Sequence, residues 1–219
     1  MMDMLMERGN FIQALQRQVS DELVRAKTWS RPTPFANKST AEELILRDGT
    51  AVSLRPIQAN DLRPLWHMHQ RLSATTLYYR YLQAYNPSLT DLAQICHLDD
   101  EVGGALVVTS GRLYKKMVAV AYYIKDKRQP QTAEAAFLVE DRFQGRGLGQ
   151  ILLQRLSQYG RERGLTTFKA FIHPDNVAML HIIQRSGLTF TEEVAYDLRE
   201  IRVQIGSERM VSGLKETKQ

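Results

Sequence analysis

Three glycines, a glutamine and an arginine stand together in Gln144-Gly145-Arg146-Gly147-Leu148-Gly149, between an apolar run (AAFLVE) and a run with helical spacing (QILLQRLSQYG). Absent side chains let backbone N–H groups close on an anion, and a helix that starts there adds roughly half a positive charge directed at it. Arg142 and Arg146 can reinforce that field. Glycine in regular structure costs about 0.5–1 kcal/mol per position relative to alanine, a cost that a bound phosphate would offset. Two phosphate motifs fail here. A G-x-G-x-x-G reading from Gly145 ends on Gln150 and one from Gly147 ends on Leu152, and no Gly-Lys-Ser/Thr closes a P-loop. What remains is Q-x-x-G-x-G at Gln144, Gly147 and Gly149, opening a helix. On the glycines alone, a ligand-free strand-to-helix turn fits as well.

The flanking elements read as follows. Phe11, Ile12, Leu15, Val19 and Leu23 recur at three- and four-residue spacing, which predicts an amphipathic helix within residues 5–27. The proline-containing stretch TWSRPTPFANKST is a linker that places a boundary near residue 41. Two strand-like runs flank Asp48-Gly49, a hairpin signal. Three segments with Ser or Asn caps then predict helices: DLRPLWHMHQRL with Pro64 in its opening turns, SATTLYYRYLQ and SLTDLAQICHL. GALVVTS, KMVAVAYYIK and AEAAFLVE predict an antiparallel meander. Beyond it the pattern is helix, strand (TTFKAFIH), helix from Pro174 to Gly187, and final strands in LTFTEEVAYDLREIRVQI. The expected fold class is mixed α/β, a mostly antiparallel central sheet flanked by helices, with an N-terminal helical extension over 1–41, a domain over 42–205 and a tail over 206–219.

Composition excludes several classes. The 219 residues are 43% hydrophobic and 24% charged, enough for one sizeable core. A net charge of +5 suits an anionic partner and is too mild to imply nucleic acid. The single cysteine, Cys96, permits no intrachain disulfide, and the N-terminus lacks the basic and apolar regions of a secretory signal. A cytoplasmic setting is expected. No apolar run is long enough to span a membrane. Cys96 reads as a small core residue. His67 and His69, two apart on a helix, lie on different faces, and no metal is implied.

The run AEAAFLVEDRFQGRGLGQILLQRL, followed by FKAFIHPDNVAMLHIIQRSGLTF, resembles the Gcn5-related N-acetyltransferase family. That family has a Q/R-x-x-G-x-G/A pyrophosphate loop and, on a later helix, an Asn followed eleven residues on by Gly, here Asn176 and Gly187. The resemblance covers roughly residues 42–205. LRDGTAVSLRPIQANDLRPL, LYYRYL and DNVAML are similar to its bacterial protein-lysine acetyltransferase branch. It implies acetyl-CoA as donor. It puts the diphosphate on the backbone of residues 145–150, that is Gly145, Arg146, Gly147, Leu148, Gly149 and Gln150, with Gln144 opening the cofactor-binding motif, the pantetheine arm along Phe137, Leu138 and Val139, and further cofactor contacts on Asn176 and Arg185. The general base implied is Glu134, in the local pattern Ala133-Glu134-Ala135-Ala136-Phe137.

An amine attacks a thioester only as the free base. A lysine with an ordinary pKa near 10.4 is about three units from that state at neutral pH, a cost of roughly 4 kcal/mol, so a base is useful. Apolar neighbours are expected to tune Glu134 upward; the alternative is a solvated strand-start residue. Glu140 and Asp141 adjoin the phosphate loop and would repel the cofactor if they faced it. Many relatives carry a tyrosine seven residues after the helix asparagine to protonate the departing thiolate, whereas here Ile183 stands there, as is usual in the branch. A thiol with pKa near 8.5 leaves tolerably without one. A backbone N–H near Leu138 or Val139 would meet the oxyanion. Tyr78, Tyr79 and Tyr81 beside Arg80 either line the acceptor site or belong to the core.

The expected function is acetyl transfer to a primary amine, with protein lysine as leading acceptor. A small-molecule amine acetyltransferase and a non-catalytic acyl-CoA-binding sensor are the alternatives, and homodimer formation stays open.

Overall fold

In the computed structural model, residues 41–111, 115–195 and 197–206 are described. The expected N-terminal helix and most of the tail lie outside them. The chain opens with β1 (Glu42–Ile45) and β2 (Ala51–Pro56), an antiparallel hairpin. Its five-residue loop is closed by Leu46 N to Thr50 O at 2.9 Å and turned by Gly49 at φ +83°, the left-handed region glycine enters freely. A short 3₁₀ turn, Ala59–Asp61, leads into α1 (Leu62–His69). Next come α2 (Ala74–Tyr81), capped by Ser73 Oγ accepting from Thr76 N, and α3 (Leu89–Cys96), which Ser88 and Asp91 close as a capping box.

The meander follows as β3 (Gly103–Ser110), β4 (Lys116–Lys125) and β5 (Thr132–Val139). Helix α4 (Leu148–Arg161) crosses to β6 (Thr167–Ile172), which lies parallel to β5. Helix α5 (Val177–Gln184) and the pair β7 (Phe190–Ala195) and β8 (Leu198–Gln204) complete a single sheet. Its order is β1-β2-β3-β4-β5-β6-β8-β7, antiparallel everywhere but at β5–β6. The mixed sheet is the expected one. Helix α5 starts later than expected: Asn176 is its N-cap, and Pro174 sits in the preceding turn.

Both faces of the sheet are covered, so its central strands read as nearly unbroken apolar runs. Side chains alternate along each strand. Ala119, Ala121, Tyr123, Ala133 and Ala135 meet Leu148, Leu152, Leu153 and Leu156 of α4 on one face. Val120, Tyr122, Ile124 and Leu138 meet Leu65 and Met68 of α1 and Leu92, Ile95 and Cys96 of α3 on the other. Burial pushes the Cys96 thiol up to about 12, which leaves it inert, in keeping with a core role.

Helix α2 contributes no fully buried residue, so its place depends on polar ties. One is to α1. The buried His69 holds Leu65 O through Nδ1 at 2.9 Å and Tyr81 Oη through Nε2 at 3.1 Å. Burial lowers the pKa of His69 to about 4, against an opposing contribution from the Leu65 carbonyl. The folded ring is therefore neutral where an unfolded histidine, near 6.5, already binds a proton. Stability falls as pH drops from about 6.5 towards 4. Urea unfolding at pH 7 and pH 5 is expected to differ by about 2 kcal/mol from this group, and His69→Gln should flatten the difference; an equal fall in the variant contradicts the assignment.

Candidate functional site

Strands β5 and β6 pair for only three rows, Thr132–Thr167, Ala133–Phe168 and Glu134–Lys169. Past Glu134 they part. Ala135 to Val139 continue to pair with β4, and Ala170 to Ile172 with β8. The facing edges of β5 and β6 open into a cleft of about 800 Å³. Alternate backbone N–H and C=O groups of a strand point to each edge, so β5 offers ladder groups to the opening. From Glu134 to Val139 that edge runs about 17 Å, at ~3.3 Å per residue. Glu134 stands at the apex, and the start of α4 stands beyond the other end.

The loop between β5 and α4 is built on two left-handed glycines, Gly145 at φ +72° and Gly147, the N-cap of α4, at φ +90°. The first N–H groups of α4 have no carbonyl within their own helix to bond, which leaves donors at its N-terminus. Gly149 has a different reason for its missing side chain: a Cβ there would lie 2.5 Å from Ile182 Cδ1, so the glycine lets α4 and α5 approach. Leu148 is core, 1% exposed, and only its backbone is available to a ligand.

Glu134, Phe137, Leu138, Val139, Gln144, Gly145, Gly149 and Asn176 all line the cleft. Asn176 also caps α5 through Oδ1, which accepts from Met179 N at 3.2 Å. Gln144 donates through Nε2 to Val139 O at 3.0 Å and to Thr76 Oγ1 at 3.1 Å, so its side chain buttresses the loop. The side chains of Arg146 and Gln150 are engaged within the protein, which leaves their backbone N–H groups as the parts that the expected diphosphate contact concerns, and Arg185 meets Gln150 through its own carbonyl. Arg146 pairs with Asp48 at 2.6 Å and lies over the Phe143 ring. Gln150 Nε2 donates to Arg185 O at 3.2 Å, tying α4 to the end of α5. Arg142, expected to add to the anion field, pairs with Glu140. The cation that does cross the loop is Arg47, whose Nε would lie 3.1 Å from a Cβ on Gly147. Its signal in the sequence was slight, one arginine beside the hairpin turn.

The carboxylates next to the loop are engaged elsewhere. Glu140, 3% exposed, accepts from Arg71 Nη2 at 2.8 Å. Asp141 accepts from Ser73 N at 3.0 Å, Ser73 Oγ at 2.5 Å and Thr76 Oγ1 at 2.8 Å. Burial acts to raise the pKa of Asp141, but these donors outweigh it and lower the pKa. The Ser73, Thr76, Asp141 and Gln144 cluster fastens α2 to the glycine loop across a sequence separation of 68 residues between Ser73 and Asp141, which no local pattern announces.

The other end of the cleft is aromatic and charged. Glu134 lies opposite Ile124 and projects on the α1–α3 side, and Tyr79, Arg80, Tyr81, Tyr85, Asp91 and Tyr122 line the same space. Tyr79 and Tyr81 therefore line the cleft, while Tyr78 packs edge-on against His173, 5.5 Å between ring centres. Asp91 accepts from Tyr85 Oη at 2.7 Å and Ser88 N at 2.8 Å. Ile183 is 1% exposed in the core, and its neighbour Ile182 lines the cleft in its stead.

The sequence pattern described as the acetyltransferase (GNAT) family matches residues 66–188. Acetyltransferase Pat of Mycolicibacterium smegmatis is 30% identical over 148 residues, which are 68% of this chain and 44% of that protein. The chain thus spans less than half the length of that relative. The GNAT domain of S. lividans PAT superposes with a TM-score of 0.69 at 28% identity, over 75% of this chain and 96% of that one. A cAMP-binding acyltransferase from Mycobacterium smegmatis gives 0.55 at 25% identity, over 81% and 51%.

The loop geometry yields a test of its own. Gly147→Ala must hold an alanine in the left-handed region and push Arg47 aside, for an expected loss of about 1–2 kcal/mol in urea unfolding. Unchanged stability contradicts the reading of the turn.

Proposed function

The chain belongs to the acetyltransferase (GNAT) family, and on that footing we propose that it moves an acetyl group from acetyl-CoA to a primary amine, a protein lysine above others. The observation that carries this is the parting of β5 from β6, with a carboxylate at its apex and a helix N-terminus beyond its mouth. The pantetheine arm is an extended chain with amide groups and suits a strand edge. The diphosphate suits the N–H groups of Gly145 to Gln150. The positive φ of Gly145 and Gly147, in the turn that opens α4, agrees with a backbone cradle at that helix start. Resemblance to the lysine acetyltransferase branch and similarity to two Pat proteins support lysine as acceptor.

In this reading Glu134 takes a proton from the acceptor ammonium or from the attacking nitrogen. The nitrogen lone pair forms the new C–N bond at the thioester carbonyl, and a backbone N–H of Leu138 or Val139 meets the oxyanion. The C–S bond breaks, and the proton balance closes on the departing sulfur from solvent, since position 183 is an isoleucine in the core. The aromatic walls from Tyr79, Tyr81 and Tyr85 suit the aliphatic stem of a lysine. A shallow acceptor surface favours protein and a deep acidic pocket favours a small polycation. The carboxylates at this end, Asp91 and Glu134, lie in a cleft that also holds Arg80, which disfavours a polycation.

The test is acetyl transfer from acetyl-CoA to lysine peptides and to a polyamine panel. Peptide acetylation is expected, and Glu134→Gln should lower kcat by about 10²-fold or more with the acetyl-CoA KM held. Equal turnover in the variant removes Glu134 as base, and polyamine turnover without peptide turnover replaces the acceptor.

A further inference from the structure

Helix α2 ends by presenting a cation to the cleft. Arg80 is half-buried and lines it together with Glu134. Its guanidinium donates to Tyr122 Oη and lies over two rings, 5.1 Å from the centre of Tyr122 and 4.9 Å from that of Tyr81. Tyr122 is the register partner of Ala136, and Ile124 that of Glu134. Tyr122 and Glu134 therefore project on one face of the sheet, from adjacent strands, two residues apart along them. A guanidinium anchored on Tyr122 therefore carries its fixed charge on the face of the sheet and in the cleft that Glu134 shares.

We propose that Arg80 is a positioning residue for Glu134, its anchored guanidinium holding the carboxylate ionised and turned into the cleft where the acceptor amine must lose its proton. The physical need is plain. A carboxylate beside Ile124, Ala136 and the ring of Tyr122 would tend to protonate, and a protonated carboxyl is no base. Arginine is suited to oppose this because it does not give up its proton to its partner. Burial works against the charge of Arg80, but Tyr122, Tyr81 and Glu134 together outweigh it and raise the pKa of the guanidinium. The same fixed charge disfavours an ammonium ion beside it and so favours the free amine.

The other ionisable groups on the surrounding elements are few. Tyr81 on α2 is bonded to His69, and Tyr85 is bonded to Asp91 of α3. Lys169, beside Glu134 on β6, carries its ammonium over the Phe171 ring at 5.5 Å. The consequence for catalysis rests on the acyl-transfer reading, while the pairing is measurable without it.

The experiment is a carboxyl ¹³C NMR titration of the full chain with labelled glutamate, the Glu134 signal being assigned by its loss in Glu134→Gln. It compares wild type, Arg80→Lys and Arg80→Gln, with Arg80→Met as a second neutral variant should the glutamine form not fold. Glu134 is expected to titrate about one unit or more higher in the neutral variants and near the wild-type pH in Arg80→Lys. The acidic limb of kcat/KM should move to higher pH by the same amount and return with lysine. An unmoved Glu134 titration in a folded neutral variant overturns the proposal. A moved titration with no acetyl transfer by wild type upholds the pairing and overturns the acyl-transfer reading instead.

Discussion

The constraint on which the structure turns is that β5 and β6 hold together for three rows and then separate. A parallel pair that continued would satisfy its own backbone and leave nothing for a ligand. The separation leaves ladder groups of β5 facing a cleft, fixes Glu134 at the last paired row, and lets α4 and α5 meet at Gly149 and Ile182 beside the opening. The neighbouring strands are paired over longer runs by comparison. The sheet's central strands are buried on both faces, by α4 on one side and by α1 and α3 on the other. That scaffold lets a split in the middle of the sheet persist without collapse.

Around the split, charge is arranged by pairing. Glu140 is held by Arg71 and Arg142, Asp141 by the start of α2, and Asp48 by Arg146. Carboxylates that would repel a diphosphate are thereby engaged, and the proposed anion site rests chiefly on backbone N–H groups, with Arg47 alongside Gly147. At the apex the pattern inverts, and a cation, Arg80, is anchored by tyrosines next to the carboxylate proposed as base. Helix α2 joins the two ends, being tied to the glycine loop through Thr76 and Gln144 and to α1 through Tyr81 and His69.

Much of this was legible in the residues. Apolar runs bounded by turn chemistry marked β3, β4 and β5, Ser73 and Ser88 marked the starts of α2 and α3, and the spacing of Gln144, Gly147 and Gly149 marked the helix that opens on the cleft. What stayed hidden was long-range. The partners of Arg146, Gln150 and Gln144 lie in the hairpin, at the end of α5 and in α2, and sequence spacing carries no information about such contacts. A further reason for the missing side chain of Gly149 was hidden in the same way: it accommodates Ile182, a packing neighbour 33 positions on. Arg80 appeared only as one residue in a tyrosine-rich helix, and its anchor on Tyr122, 42 residues away, required the fold.

The most direct measurement is amide hydrogen exchange with and without acetyl-CoA. The account predicts new protection confined to the open edge of β5, residues 135–139, and to the loop and helix start at 145–150, with β1 to β3 unchanged. Binding that leaves both segments exchanging as before, or no protection at saturating acetyl-CoA, would contradict it.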